Sequence, residues 1–152
     1  YYRAEMEFKK GNGADALQDV NRSLIQGPMN VQALNLRGRI NTMQGRYTAA
    51  IEDISAAITL EGESSISGYL LHNRAIAYIG QDDFKSARDD CEQFIRFLRN
   101  NNLPVTVEDN YLLGVLQYAV DDEDGALTSW KHMPDEQRAK ISRIVGNYNS
   151  KF

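Results

Sequence analysis

The sequence is poor in the features that mark several common classes of protein. One cysteine among 152 residues excludes an internal disulfide and leaves the redox compartment open, and only three prolines favour a largely helical chain. No apolar run approaches the roughly 20 residues of a membrane span. With 21 acidic and 17 basic residues, the chain lacks the basic excess of a nucleic-acid binder. We therefore expect a helical globular protein without a membrane span or a nucleic-acid partner.

The sequence does contain an internal repeat. Four alanines spaced by 34, 37 and 39 residues serve as its anchors: Ala16, Ala50, Ala87 and Ala126. A small residue lies twelve positions before each anchor, namely Ala4, Gly38, Ala75 and Gly114. An apolar residue lies four positions after each, namely Val20, Ile54, Cys91 and Trp130. A period near 34 is typical of an array of helix–turn–helix units.

Each unit is predicted to contain two helices. Apolar residues at three- and four-residue steps indicate first helices at 31–43, 69–79 and 107–119, and a clear second helix at 47–60. If Gly38 and Ala50 face each other, the two helices of a unit can approach closely. Four aspartates after the turns suit helix N-termini: Asp82, Asp83, Asp121 and Asp122. We interpret the chain as a single domain, 1–152, with units at about 1–30, 31–66, 67–105 and 106–133.

A different amphipathic pattern follows the last unit. Pro134 and the acids after it indicate a helix start, and Ile141, Ile144 and Tyr148 form an apolar stripe. We expect a helix at about 134–149 that caps the array, because the terminal unit would otherwise leave its apolar face in water. The alternative is an amphipathic helix that binds a partner.

Two units resemble a known family, the tetratricopeptide repeat. The best match is 34–58, through Asn-x-Arg-Gly in its first helix and Ala-Ile-x-Asp in its second. Residues 69–97 are similar through Asn-Arg-Ala at 73–75 and Ala-Arg-Asp-Asp at 87–90. The resemblance implies an all-α fold, an α-solenoid of tandem helix–turn–helix repeats.

A pattern of paired charges accompanies the repeat. Thirteen residues before the first three anchors lie arginines, and three residues after them lie aspartates: Arg3, Arg37 and Arg74, with Asp19, Asp53 and Asp90. In the fourth unit Leu113 and Ser129 replace both. We predict Arg–Asp pairs that join first and second helices. The alternative is two solvated faces that match by coincidence.

The sequence offers little to an enzyme. His72 and His132 are 60 residues apart, without local metal-ligand spacing. Cys91 occupies an apolar core position, which predicts a buried thiol rather than a nucleophile. We expect no intrinsic catalysis, no catalytic residue, no metal site and no cofactor.

The family resemblance implies a binding function. First helices of such repeats line a concave surface that holds a peptide or a partner's helix. Carried over position by position, this groove would comprise Tyr1, Glu5, Lys9, Gln32, Asn35, Arg39, Tyr69, His72, Asn73, Ile76, Tyr111 and Tyr118. We expect a scaffold or adaptor that binds another protein or peptide. The alternatives are a regulatory or assembly domain of a larger enzyme or secretion complex, and self-association through an exposed repeat edge.

The chain begins inside its first unit. No methionine starts it, so we interpret it as a fragment or processed form with a shortened first helix. A targeting segment could precede residue 1. The compartment is therefore left open: the cytoplasm is the default, and export to the periplasm or beyond is the alternative.

Overall fold

The computed structural model describes residues 1–62, 68–131, 133–137 and 139. The helices in these ranges, in chain order, are α1 (Tyr2–Lys9), α2 (Gly13–Gln26), α3 (Val31–Met43), α4 (Tyr47–Glu61), α5 (Gly68–Gly80), α6 (Phe84–Asn100), α7 (Val107–Ala119) and α8 (Glu123–Trp130). The described ranges contain no β-strand. The predicted all-α array of helix–turn–helix repeats is confirmed.

The chain divides into two compact units, Tyr1–Phe97 and Leu98–Phe152. The expected helix bounds agree closely with the structure: α3 and α7 cover 31–43 and 107–119 as predicted, and α4 is one residue longer than expected. The predicted capping helix at 134–149 lies outside the described residues except for 134–137 and 139. The division into four units within a single domain stays a prediction.

Side chains at the helix starts satisfy exposed backbone amides. The Asn30 side chain accepts from the amide of Ala33 at 2.8 Å. Thr106 and Asp109 bond reciprocally to each other's backbone at the start of α7, and Asp122 accepts from the amide of Gly125 at 3.0 Å. These contacts replace the hydrogen bonds that the first turn of a helix cannot make internally.

The turn inside each hairpin uses one left-handed residue, five positions before the anchor alanine. Gly11 and Gly45 have φ of 83° and 72°, and Asp82 and Asp121 have φ of 60° and 62°. Glycine adopts this conformation without steric cost, and aspartate is among the residues that tolerate it. The expectation that Asp82 and Asp121 cap helices is therefore corrected: their backbones form the turns, and the capping contacts come from Asp83 and Asp122.

Two of the small residues of the repeat, Gly38 and Gly114, lie where paired helices approach closely. A Cβ added to Gly38 would fall 2.5 Å from Ile54 Cγ1 and 3.2 Å from the Ala50 carbonyl oxygen. A Cβ added to Gly114 would overlap the indole of Trp130. The predicted close approach of Gly38 and Ala50 is confirmed. Neither Gly38 nor Gly114 has room for a larger residue.

Each compact unit has its own core. In Tyr1–Phe97 one cluster of buried apolar residues connects α1 to α5, and its members include Ala4, Ala16, Val20, Leu36, Ile40, Ile54 and Leu70. In Leu98–Phe152 the core contains Ala126, Trp130 and Met133, with Val107 packed against them. Cys91 is 1% exposed, so the prediction of a buried thiol is confirmed.

Candidate functional site

The predicted Arg–Asp pairs are present. Arg37 donates from Nε to Asp53 Oδ2 at 2.8 Å and from Nη2 to Oδ1 at 2.6 Å. Arg74 makes the same two bonds to Asp90, both at 2.7 Å, and Arg3 Nε lies 2.7 Å from Asp19 Oδ2. The bonds to aspartate raise the pKa of Arg37 and Arg74, although burial opposes this shift. Each pair joins the first helix of a hairpin to its second helix, and the pairs of Arg37 and Arg74 do so with two parallel bonds.

Two of these arginines also reach the preceding hairpin. Arg37 Nη1 donates to Asn21 Oδ1 of α2 at 3.0 Å. Arg74 Nη1 donates to Ser55 Oγ of α4 at 3.1 Å. The acceptors occupy the same repeat position, five residues after the anchor alanine. One guanidinium therefore holds three helices in register, which positions the first helices of neighbouring hairpins beside each other.

The first predicted groove residues form a cluster between α1 and α3. The guanidinium carbon of Arg39 lies 4.9 Å from the centroid of the Phe8 ring, which is a cation–π distance. Lys9 Nζ lies 3.4 Å from Glu5 Oε1. The pKa of Tyr1 is raised, first by burial and then by the Glu5 charge, while Arg39 acts in the opposite direction. Arg39 of α3 therefore meets α1 at Phe8, and the charges of Glu5 and Arg39 both act on Tyr1.

A second part of the predicted groove lies between α3 and α5. Asn73 Nδ2 donates to Asn35 Oδ1 at 2.9 Å and links the two first helices directly. Beside this bond is a cleft of about 710 Å³, which we call the α3–α5 cleft. It is lined by Met29, Asn30, Val31, Gln32, Asn35, Glu61, Tyr69 and Leu70. Three predicted residues, Gln32, Asn35 and Tyr69, thus share one cavity.

The other predicted residues of α5 have different surroundings. The centroid of the His72 ring lies 4.9 Å from that of Phe94, so part of this imidazole packs between α5 and α6. Ile76 is 40% exposed. His72 therefore has a packing role beside any role in binding, whereas Ile76 offers apolar surface.

Tyr111 and Tyr118 lie on α7, in the unit Leu98–Phe152. Their side chains remain partly exposed. The Tyr111 carbonyl accepts from Trp130 Nε1 at 3.3 Å, and the Tyr118 ring centroid lies 6.5 Å from the Trp130 ring. This tyrosine surface belongs to the hairpin α7–α8 and is described for that unit alone.

Several residues of the α3–α5 cleft were not predicted. Met29, Asn30 and Val31 lead into α3, and Glu61 and Leu70 come from α4 and α5. The helix-start signal, Pro28 followed by a capping asparagine, could have indicated that the beginning of α3 is available for contact. No local signal pointed to Glu61, because only the packing of α4 beside α5 brings it there.

The described residues hold no group of three or more His, Cys, Asp or Glu side chains arranged to bind a metal ion. Among them, too, no helix is both long enough and apolar enough to cross a membrane.

Comparison with known proteins agrees with this architecture. The family model described as "Tetratricopeptide repeat" matches residues 1–64. No curated protein sequence shows a significant match. A crystal structure of MamA is 20% identical with a TM-score of 0.72, over 84% of this chain and 70% of that one. MamA 41-end from Desulfovibrio magneticus RS-1 is 14% identical with a TM-score of 0.75, over 91% and 74%.

A double mutant of MamA RS-1 is likewise 14% identical, with a TM-score of 0.77 over 93% of this chain and 75% of that one. At such identities the likeness concerns the fold. Together with the family match it supports a general role as a protein-interaction scaffold. Residues 1–64 thus match the tetratricopeptide-repeat model, and the chain shares its helical-repeat fold with the MamA structures.

Proposed function

We propose that the face formed by α1, α3 and α5 binds an extended segment of another protein, without catalysis. The observation that carries the proposal is the α3–α5 cleft beside the Asn35–Asn73 hydrogen bond. Its volume, about 710 Å³, accommodates several residues of a peptide. We call this surface the inner face.

The chemistry of the inner face suits a peptide backbone. Gln32 and Asn35 carry amides that both donate and accept hydrogen bonds, so they can pair with main-chain groups of any sequence. Tyr69 is 60% exposed and supplies apolar area with a hydrogen-bonding tip. These properties favour an extended ligand whose backbone is bound in the cleft.

The Phe8–Arg39 stack gives the same face a charged end. Arg39 is exposed above Phe8, and its guanidinium can pair with a carboxylate of the ligand. The net charge of −4 for the whole chain favours a protein ligand over a nucleic acid. We therefore expect ligands with an acidic residue at the end that lies against α1.

The experiment is a selection of peptides from a displayed random library on the immobilised chain, followed by titration of each selected peptide. The test variant carries Asn35→Leu and Tyr69→Ala, which remove the amide and the exposed ring. The control is Ile25→Ala, which removes an apolar side chain of α2 that is 84% exposed and does not line the cleft. Thermal unfolding is measured for all three proteins, so that a loss of binding can be distinguished from a loss of fold.

The proposal expects at least about tenfold weaker binding in the double variant and unchanged binding in the control. Selected peptides should also lose affinity when Arg39→Gln removes the cation, and this loss should be confined to peptides with an acidic end. Equal affinity of the selected peptides for the native chain and the double variant would reject the inner face as the binding site.

A further inference from the structure

A small cavity lies between the turns of the first two hairpins. Its volume is about 230 Å³, and its walls include Phe8, Gly13, Ile40 and Met43. These residues belong to the end of α1, the start of α2 and the end of α3, so the cavity lies at the opposite end of α1 from residue 1. We call it the turn cavity; it shares no lining residue with the α3–α5 cleft. A cavity of about 150 Å³ is enough to hold a benzene ring.

The equivalent place one repeat later is filled by an aromatic ring of the chain itself. The second helix of a hairpin begins with Gly13 in the first hairpin and with Tyr47 in the second. Seven residues before the anchor alanine, the third hairpin has Gly80 where the second has Met43. The Tyr47 ring lies directly against Gly80, since a Cβ added to that glycine would overlap the ring. Between the first two hairpins this ring is absent and Met43 is 73% exposed, which leaves the turn cavity open.

Charge complementarity indicates which ligand group would lie next to such a ring. Arg39 is exposed, and its guanidinium carbon lies 4.9 Å from the centroid of the Phe8 ring, which forms part of the cavity wall. A cation is thus held beside the turn cavity. A carboxylate close to the aromatic group of a ligand can therefore pair with Arg39 while the ring occupies the cavity.

From these features we infer that the turn cavity binds an aromatic side chain of a partner protein, in a segment where a carboxylate lies close to that aromatic residue. The ring takes the place that Tyr47 fills one repeat later, and the carboxylate pairs with Arg39. The inference rests on the proposed function only for the nature of the ligand, a segment of another protein. It adds a second subsite, at the opposite end of α3 from the α3–α5 cleft.

The probe that tests this is p-hydroxyphenylpropionate, which carries a tyrosine-like ring and a carboxylate on a short arm. Its companion is the corresponding amide, which has the same shape without the charge. Each is titrated against the full chain, labelled at its methionine methyl groups and followed by NMR. Met43 reports on the turn cavity, and Met29, which is also 73% exposed but lines the α3–α5 cleft, is the internal control.

Two substitutions of one residue separate the effect of filling the cavity from that of changing its backbone. Gly13→Tyr supplies a ring where Tyr47 has one, and Gly13→Ala is the matched control without a ring. An added Cβ is tolerated here, because the nearest atom that it meets is the side-chain nitrogen of Gln44, at 3.1 Å.

We expect both probes to shift the Met43 methyl signal, and not that of Met29, in the native chain and in Gly13→Ala. In Gly13→Tyr both probes should bind at least about tenfold more weakly, because the ring of the chain occupies the cavity. The acid should bind the native chain about two- to fivefold more tightly than the amide, as is typical of an exposed ion pair. Arg39→Gln should remove this difference.

The same titrations distinguish the turn cavity from the proposed peptide cleft. The Asn35→Leu/Tyr69→Ala variant should bind both probes as the native chain does, since neither residue lines the turn cavity. If selected peptides ignore that double variant while the probes still bind at Met43, the cleft is rejected and the turn cavity is supported.

Absence of a Met43 response overturns the inference, and so does equal binding of the probes to the native chain and to Gly13→Tyr. Equal affinity of the acid and the amide overturns the carboxylate contact. A Met43 signal that changes with protein concentration alone assigns the cavity to a second copy instead, and one that changes with Tyr148→Ser/Phe152→Ser assigns it to aromatic residues of the chain itself. Thermal unfolding of each variant separates a loss of binding from a loss of fold.

Discussion

The hairpins α3–α4 and α7–α8 hold matching helices together by different chemistry. In α3–α4, Arg37 and Asp53 form a charged pair with two bonds. In α7–α8 the same two positions are Leu113 and Ser129, and Ser129 donates instead to Gln117 Oε1 at 2.7 Å. One hairpin geometry therefore accommodates an ion pair or a neutral hydrogen bond at the same place.

The contacts at the closest approach of the paired helices also differ between these two hairpins. Gly38 approaches the flexible side chain of Ile54, whereas Gly114 lies directly against the rigid indole of Trp130. Trp130 is fully buried and supplies much of the small core of its unit. The comparison indicates that α7–α8 depends mainly on packing, and that the earlier hairpins add charged bonds which also reach the neighbouring repeat.

The largest effect is expected from filling the glycine contacts. Gly114→Ala should destabilise the protein by roughly 3 kcal/mol, because the indole cannot move aside without opening the core. Gly38→Ala should cost roughly 1–2 kcal/mol, because the added Cβ meets an aliphatic side chain at 2.5 Å rather than a rigid ring. Chemical denaturation measures both, with Gly27→Ala as a control because an added Cβ there meets only ordinary contacts. Equal costs at Gly38 and Gly114 would contradict the difference between the hairpins.

Breaking a charged pair should destabilise the protein less than Gly114→Ala does. It should destabilise the protein more than loss of the neutral hydrogen bond between Ser129 and Gln117. Asp90→Ala leaves the guanidinium of Arg74, 19% exposed, without its carboxylate and should destabilise by roughly 2 kcal/mol. Ser129→Ala removes one neutral bond and should cost about 1 kcal/mol or less. The control is Asp89→Ala, whose side chain is 49% exposed beside Arg88. If Asp90→Ala and Asp89→Ala lower the free energy of unfolding equally, the buried pair contributes no more to stability than the exposed one.

Transferring the pair to the last hairpin sharpens the comparison further. Leu113→Arg alone should destabilise, since it places a charge at a site that is 8% exposed. Adding Ser129→Asp should recover about 1 kcal/mol as coupling energy in a double-mutant cycle. A coupling energy of zero would mean that the backbone geometry of α7–α8 does not allow the paired arrangement seen in α3–α4.

The smallest effect on stability is expected from a side-chain hydrogen bond at the turn of each of the first two hairpins. Asn12 donates to Glu7 at 2.6 Å, and at the matching positions Arg46 donates to Asn41 at 3.0 Å. The bonds from Asn12 and Lys10 lower the pKa of Glu7. The stabilisation by Glu7 is therefore present above its unfolded-state pKa and is lost as the pH falls through the lower folded-state pKa.

Unfolding curves from about pH 6 to about pH 3 should thus show a smaller acid-induced loss of stability in Asn12→Ala than in the native chain. Arg46→Ala is the comparison, because its acceptor Asn41 does not titrate, and its acid sensitivity should equal that of the native chain. Identical pH profiles for Asn12→Ala and the native chain would show that the hydrogen bond from Asn12 to Glu7 does not contribute to stability.

Much of the fold was predictable because the repeat places equivalent residues in equivalent environments. The spacing from the anchor alanines identified Gly38 and Gly114 as the small residues at which paired helices meet. The absence of both arginine and aspartate from the fourth unit indicated that these two residues pair with each other in the other units. The turns were predicted less well: the left-handed backbone of Asp82 and Asp121 substitutes for glycine, and composition does not distinguish that role from helix capping.

The sequence by itself determined the helical hairpins, their spacing and the pairing of charges within a hairpin, since these depend on residues at fixed separations along one chain. Only the tertiary structure decided how side chains from separate repeats meet. It brought Asn35 to Asn73, Asn21 to Arg37 and Glu61 into the α3–α5 cleft, because such contacts depend on the rotation of one hairpin against the next. The same packing buried Leu36 and Ile40 in the core that α3 shares with α2, because that burial depends on which helix lies against which.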